Sequence, residues 1–243
     1  MFLIEAGIVD PLLELIRSAA DELLEQSILL LALLISGTLN NHQLAFSFVW
    51  YPYLSLVFSC LSAGSVQYIY TKLDNAQLIP RFVALLEAPL TPDGIKIKTC
   101  MALSSLFTHS THPPFRLCFF VEHLYNYLIE VGSQVEMRSL RGIPVLINLL
   151  HSSNELLLLN TVAAITNLTL YYRKHLQFPV GFFPSADLAE LASIRHEIIE
   201  ERGLESLLLL VYGPSMASLP ITRLEATKAI ANLSITGNWM MQS

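Results

Sequence analysis

The stretch Gly142–Leu170, GIPVLINLLHSSNELLLLNTVAAITNLTL, contains two apolar runs separated by a short polar turn. The first run, 145–150, follows a Gly-Ile-Pro start, and the second ends in Ala164–Leu168. Both runs predict helices, with the turn at 151–154 between them. Because each helix would be apolar on more than one side, neither could bury its apolar surface alone. The pair therefore predicts further copies stacked on both of its flanks.

The composition favours helices and argues against nucleic-acid binding. Hydrophobic residues make up 53% of the 243 residues and charged residues 14%, and the formal net charge is −6. Leucine-rich runs with few β-branched alternations favour helices over strands. Lysine and arginine form no run longer than two residues, so the basic surface expected of a nucleic-acid-binding protein is missing.

The cysteines and the N-terminal residues predict a cytoplasmic protein, with the nucleus as the alternative location. Cys60, Cys100 and Cys118 are odd in number, and their spacing fits neither a zinc motif nor a disulfide framework. A reducing compartment is the simpler interpretation. The first residues lack a basic region and carry Glu5 and Asp10, so they do not form a signal peptide.

Three other segments repeat the pattern of the opening stretch, which is the third copy in chain order. In the fourth copy, Ala229–Leu233 repeats Ala164–Leu168 almost residue for residue, and a helix predicted over Ile194–Arg202 precedes the pair. In the first copy the long helix is predicted over Leu23–Ile35, with Gly37 ending it.

This order of a Gly-Ile-Pro corner, a short apolar helix, a polar turn and a long helix ending in Ala-Ile-x-Asn-Leu resembles the armadillo repeat. The resemblance implies three helices in each repeat, named H1, H2 and the long H3. It implies an all-α protein, a right-handed α-solenoid (an armadillo-like superhelix) of about four repeats with insertions between them. The repeats span approximately residues 1–37, 74–110, 139–170 and 194–237.

The repeat spacing is longer than the family pattern. Equivalent alanines at Ala32, Ala102, Ala164 and Ala229 give steps of 70, 62 and 65 residues, whereas an armadillo unit takes roughly 40–47. The additional residues lie each time between one H3 and the next H1. Two interpretations stand: loops inserted at one edge of the solenoid, or translated non-coding sequence. The insertions are approximately 38–71, 111–134 and 171–191.

The resemblance implies a non-catalytic protein-interaction scaffold that binds a protein or peptide segment in a concave groove lined by H3. In armadillo repeats an H3 asparagine holds the backbone of an extended peptide, since its amide offers donors and an acceptor. Asn167 and Asn232 match this position, and Ser105 replaces the asparagine in the second copy. The neighbouring groove positions are Lys98, His109, Asn160, Glu225 and Lys228.

We call these repeated H3 positions the asparagine ladder, and its role has an alternative interpretation. Each asparagine could instead satisfy the end of a neighbouring helix and take no part in binding. In the first copy the equivalent positions are Ile28, Leu31 and Leu39, which predicts an apolar N-terminal end of the groove.

No motif in the sequence supports catalysis, a cofactor or a metal. The chain lacks a glycine-rich phosphate loop and a Ser/His/Asp signature, so it is not expected to be an enzyme. His109, His112, Cys118 and His123 invite a zinc proposal, but Pro113–Pro114 interrupt them and no cysteine pair is present. We therefore predict no metal site.

The stretch Leu44–Ser62 raises an alternative, a membrane-tethered adaptor. It has 19 residues without a charge, which is long enough to span a bilayer. Pro52 interrupts it, and no lysine or arginine asymmetry flanks it. We therefore do not expect a membrane partner.

The two ends of the sequence suggest a further alternative. Both ends break inside a repeat, so the chain could be a truncated or wrongly assembled fragment of a larger armadillo protein without independent function. Natural arrays end in repeats with a polar outer face. Uncapped apolar ends predict self-association.

Overall fold

The computed structural model describes residues 7–18, 21–46, 78–107, 132–170, 185–213 and 220–234. Every regular element in these ranges is an α-helix, which confirms the all-α prediction. The chain divides into two compact units, a first unit Met1–Ser133 and a second unit Gln134–Ser243.

The described helices of the first unit are α1 Val9–Ser18, α2 Asp21–Phe46, α3 Leu78–Glu87 and α4 Asp93–Leu106. In α1, one apolar face is buried, made of Val9, Leu12, Leu13 and Ile16. The two long helices α2 and α4 pack against each other. They are the H3 helices of the first and second copies, so the stacking of neighbouring copies is built on H3.

The segment Thr91–Gly94 has the proline, aspartate and glycine of a turn signal, and the break between the helices lies at 88–92, because α3 ends at Glu87 and α4 begins at Asp93. Gly94 lies in the first turn of α4 against the side chain of Glu25 from α2. A Cβ at Gly94 would come within 2.5 Å of Glu25 Oε2. A carboxylate at a helix N-terminus is favourable, because the exposed N–H groups carry partial positive charge.

The prediction that Gly37 ends the first H3 is wrong. α2 continues through Gly37 to Phe46, into the segment assigned to the first insertion. A glycine inside a helix costs only about 1 kcal/mol relative to alanine. No proline follows before Phe46, so nothing in the local sequence forces the helix to stop there.

The helices of the second unit are α5 (132–139), α6 Gly142–Leu149, α7 Glu155–Leu170, α8 Ser185–Glu200, α9 Gly203–Tyr212 and α10 Pro220–Ser234. The unit begins within α5. α7 packs against α10, α9 against α10, and α8 against both α6 and α9. The third copy is thus α5–α7, and the fourth copy is α8–α10.

The first helix of the fourth copy begins earlier than the sequence pattern indicates. It was expected from Ile194, yet α8 begins at Ser185, so the last residues of the insertion predicted at 171–191 are helical. A Ser-Ala-Asp start after Pro184 is a helix-start signal. The aromatic, weakly patterned residues before it obscured that signal.

The turn predicted at 151–154 is confirmed, and its chemistry is local. Asn154 Oδ1 accepts hydrogen bonds from the backbone N–H of Leu156 at 3.1 Å and of Leu157 at 3.2 Å. These are donors that the first turn of α7 leaves without an intrahelical partner. Asn154 therefore caps α7 and fixes where it begins.

The corner before H2 has the same backbone conformation in three copies. Gly7, Arg141 and Arg202 precede the first H2 residues and have φ of 75°, 55° and 63°. Only glycine adopts this left-handed region without cost. The shared strain at Arg141 and Arg202 supports the equivalence of the third and fourth copies at a spacing of 61 residues.

The residue after that corner is a glycine in both copies of the second unit, because H1 approaches H2 closely there. A Cβ at Gly203 would lie 2.7 Å from the carbonyl oxygen of Ile198 and 3.1 Å from Cδ1 of Ile147. A Cβ at Gly142 would lie 3.0 Å from the carbonyl oxygen of Met137. The 2.7 Å approach at Gly203 is closer than a real Cβ comes to another heavy atom, and the 3.0 Å approach at Gly142 requires the neighbouring chain to shift.

None of the helices in the described ranges is both long enough and apolar enough to cross a membrane. Of Leu44–Ser62, the residues after Phe46 lie outside those ranges.

Candidate functional site

The two H3 helices of the second unit are joined by hydrogen bonds between buried side chains. Asn232 Nδ2 donates to the carbonyl oxygen of Thr166 at 3.2 Å and to the hydroxyl of Thr169 at 3.3 Å. The hydroxyl of Thr166 lies 3.2 Å from the carbonyl oxygen of Glu225. Thr166, Thr169 and Asn232 are all buried. These contacts set the register of α10 against α7.

The side chain of Asn232 makes its hydrogen bonds within the protein. Its amide nitrogen carries two hydrogens, and both have an acceptor on α7. The residue is 4% exposed. This geometry corresponds to the alternative interpretation of the ladder, in which the asparagine satisfies a neighbouring helix. The amide donors of Asn232 are therefore not presented to a ligand.

The equivalent asparagine of the third copy lies in a more open position. Asn167 is half-buried on α7, 65 residues before Asn232. Two turns earlier on the same helix, Asn160 is also half-buried, and its Nδ2 donates to the carbonyl oxygen of Leu156 at 2.7 Å. Asn167 and Asn160 thus share one accessible face of α7.

The two predicted charged residues of α10 form an ion pair with each other. Lys228 Nζ lies 2.6 Å from Glu225 Oε1, and the side chains are 52% and 22% exposed. A pair at the surface of one helix contributes only about 0–1 kcal/mol. A charged partner could therefore displace it at small cost.

Sequence reasoning missed two apolar residues beside this ladder. Leu156 on α7 is 61% exposed, and Ile221 on α10 is 63% exposed. They occupy equivalent positions, each eleven residues before the asparagine of its copy. A spacing of eleven is three helical turns and places them on the asparagine face. That spacing was a usable signal, since an apolar residue recurs in both H3 helices at the same distance from the asparagine.

We call the residues on this face of α7 and α10 the H3 strip. Its members on α7 are Leu156, Asn160, Ala163 and Asn167, and those on α10 are Ile221, Glu225, Lys228 and Asn232. The strip runs from an apolar beginning through polar and charged residues to the asparagines. All of its members except Asn232 are at least partly exposed.

In the first unit the predicted groove residues differ in their exposure. Lys98 and Ser105 on α4 are half-buried, and the Ser105 hydroxyl donates to the carbonyl oxygen of Met101 at 3.0 Å. The expectation that Ile28 and Leu31 line the groove is wrong, because both side chains are fully buried. They belong to the core face of α2.

His109 and the other residues considered for zinc, His112, Cys118 and His123, lie outside the described residues. Within the described ranges, no three His, Cys, Asp or Glu side chains are grouped so that they could hold a metal ion.

A concave feature lies between the H1 helices of the third and fourth copies. It encloses about 460 Å³ and is lined by side chains of both signs, including Arg138, Arg141, His196, Glu197 and Glu200. Arg138 Nε and Glu197 Oε2 are 3.0 Å apart. Since this pair bridges α5 and α8, the groove is explained by the joining of neighbouring copies.

Comparison with known families finds one match, and it covers the third copy. The sequence model described as "Armadillo/beta-catenin-like repeat" matches residues 134–170, which cover α6, α7 and most of α5. No curated protein matches the sequence.

Solved structures give weaker likenesses. A designed armadillo repeat protein in complex with the peptide (KR)4 is 14% identical, with 95% of this chain and 84% of that chain covered and a TM-score of 0.48. An engineered protein is 15% identical, with 93% and 96% covered and a TM-score of 0.39. Another designed armadillo repeat protein is 12% identical, with 92% and 98% covered and a TM-score of 0.37. At these identities and scores the likenesses carry no argument about function.

Proposed function

The chain carries an armadillo/β-catenin-like repeat at residues 134–170, and we propose that it is a non-catalytic scaffold that binds a partner protein segment along the H3 strip. The observation that carries the proposal is the pair of exposed apolar residues Leu156 and Ile221 at equivalent positions of two stacked helices. Isolated exposed leucines are ordinary. Two at equivalent positions, each followed on the same helix face by a polar residue one turn later, form a patterned surface.

The chemistry of the strip defines the partner that fits it. An apolar side chain of the partner would pack on Leu156 and Ile221. Its backbone would then run past Asn160 and Asn167, whose amides suit the N–H and C=O groups of an extended chain. A charged side chain of the partner would meet the Glu225–Lys228 ion pair. The proposed partner is therefore a peptide segment of mixed apolar and polar character.

The magnitudes indicate which residues dominate the affinity. Complete burial of a leucine or isoleucine side chain is worth about 1.5–3 kcal/mol, and more than half of each side chain is available here. One hydrogen bond from Asn167 would add a net contribution of about 0.5–1.5 kcal/mol. The apolar end of the strip should therefore contribute more than the asparagine.

The test begins with a peptide selected from a phage-displayed random library on the purified full chain. Its dissociation constant is then measured by fluorescence polarisation with the wild type and with Leu156→Asp/Ile221→Asp. Both positions lie in the first turn of a helix, where aspartate is tolerated. We expect the double variant to weaken binding at least about tenfold, from the apolar area lost.

Leu90→Asp is the matched control, since Leu90 is 93% exposed and lies in the turn between α3 and α4. It should leave the dissociation constant unchanged. Asn167→Ala should weaken binding by a smaller factor, about fivefold. Failure to select any peptide, or equal binding by the double variant and the control, would contradict the proposal.

A further inference from the structure

The concave feature between α5 and α8, here named the H1 groove, has two sides of opposite charge. One side carries Arg138 and Arg141. The other carries Glu197, Glu200 and Glu201, on α8 and directly after its end. The groove has a volume of about 460 Å³, within the range of about 300–1,000 Å³ that ligand sites occupy. Its two sides therefore create an electric field across the groove.

Part of this charge is used within the protein. Arg138 Nε is 3.0 Å from Glu197 Oε2, and the two side chains are 37% and 22% exposed. His196 Nε2 lies 3.1 Å from Glu200 Oε1 on the same helix. The first pair joins the two helices and the second lies along α8, so these four side chains shape the groove.

Two charges of opposite sign in the groove are left without such a contact. Among the residues that the structure describes, the side chains of Arg141 and Glu201 form no ion pair and no hydrogen bond, either with each other or with another residue. Both residues are exposed, and each lies in a turn between an H1 helix and an H2 helix. A ligand can therefore satisfy both charges without breaking a contact of the folded chain.

A ligand that fits the H1 groove needs charges of both signs on opposite sides. Successive side chains of an extended peptide point to opposite faces. An acidic residue facing Arg141 therefore places its neighbours in the peptide on the side of Glu200 and Glu201, where a basic residue is favoured. A uniformly basic segment would meet Arg138 and Arg141, and a uniformly acidic one would meet the three glutamates, so like-charge repulsion disfavours both.

From these observations we propose that the H1 groove binds an extended partner segment in which acidic and basic residues alternate. The acidic residue pairs with Arg141, and the adjacent basic residue pairs with Glu201. The affinity depends on salt, because both charges are exposed and are screened by ions. The groove shares no residue with the H3 strip, so the proposal does not depend on peptide binding there.

Fluorescence polarisation of a labelled (Glu-Lys)4 peptide with the purified full chain tests the proposal, at about 20 mM salt so that screening is weak. Arg141→Glu and Glu201→Lys should each weaken binding about fivefold or more, because each replaces an attraction by a repulsion. The double variant Arg141→Glu/Glu201→Lys should bind more tightly than either single variant. It exchanges the two signs, and an alternating peptide fits again after a shift of one residue. Both residues are exposed, so the variants should keep wild-type circular dichroism.

The matched controls are a second peptide and a second variant. A peptide of four glutamates followed by four lysines has the same composition without the alternation, and it should bind the wild type about fivefold more weakly or not at all. Glu14→Lys on α1 makes the same charge change as Glu201→Lys, at a side chain that is 70% exposed, and should leave the affinity unchanged.

An alternating peptide that does not bind the wild type would overturn the proposal, as would equal binding of the two peptides. It would also be overturned by single variants that bind like the wild type, by a double variant no better than the single variants, or by an equal loss of binding in Glu14→Lys.

Discussion

The third and fourth copies contain the same H2–H3 pattern but differ in how much of it is buried. In the third copy, Ile147, Thr166 and Thr169 are enclosed by the fourth copy. At the equivalent positions of the fourth copy, the side chains face solvent. The same pattern thus gives core in one copy and surface in the next. The difference teaches that in a repeat protein the neighbouring copy, and not the residue's own helix, decides burial.

The largest expected change in unfolding free energy comes from truncating one of two equivalent apolar side chains. Ile147→Ala removes a side chain that is 5% exposed, so unfolding free energy should fall by about 3 kcal/mol. Leu208→Ala removes the equivalent side chain, which is 37% exposed, and should cost about 1 kcal/mol. Urea unfolding followed by circular dichroism at low protein concentration measures both. Equal losses would mean that the two copies do not differ in burial.

The corner glycines give the next comparison. Gly203→Ala places a methyl group against the backbone carbonyl of Ile198 and should destabilise the chain by about 2 kcal/mol. At Gly142 the nearest atoms belong mostly to the flexible end of Met137, so alanine should cost about 1 kcal/mol. Thermal unfolding of the two variants measures the difference. If Gly142→Ala lost more stability than Gly203→Ala, the inference from the close backbone approach at Gly203 would be contradicted.

The hydrogen bonds between the H3 helices give a smaller effect. Asn232→Ala removes both bonds to α7 and should cost about 1–2 kcal/mol. Ser234→Ala alters an exposed residue of the same helix and should stay within about 0.5 kcal/mol. Urea unfolding again provides the measurement. An unchanged stability of Asn232→Ala would show that its amide is not engaged by α7.

The smallest effect is expected at the left-handed corners. Arg202→Gly relieves the cost of a positive φ and should raise stability by about 0.5 kcal/mol. The ion pair it removes, Arg202 with Glu205, is exposed and contributes little. The reverse change in the first copy, Gly7→Ala, should destabilise by about 1 kcal/mol. A lower melting temperature of Arg202→Gly would contradict the inference that the positive φ of Arg202 costs stability.

Much of the local structure could be predicted from the sequence, because it depends on neighbours in the chain. The breaks between helices at 88–92 and 151–154 follow from the turn residues in or beside them, and the helices on either side follow from apolar spacing. The continuation of α2 through Gly37 could not be predicted in this way. A single glycine weakens a helix without ending it when no proline or capping contact follows.

The candidate site was harder to predict, because exposure depends on residues distant in sequence. Asn167 and Asn232 have similar local sequences, yet Asn232 is 4% exposed and donates to two acceptors on α7, whereas Asn167 is half-buried. The exposure of Leu156 and Ile221 likewise follows from what the stacked helices leave uncovered. Apolar spacing alone cannot separate a residue of the core from one on a binding face.

The central claim is that one partner segment contacts equivalent positions of the third and fourth copies at once. The most direct test compares the single variants Leu156→Asp and Ile221→Asp for affinity to the selected peptide by fluorescence polarisation. We expect each to weaken binding by about fivefold or more, with Leu90→Asp unchanged. If only one of the two variants weakens binding, or neither does, the peptide does not span the two copies and the account is contradicted.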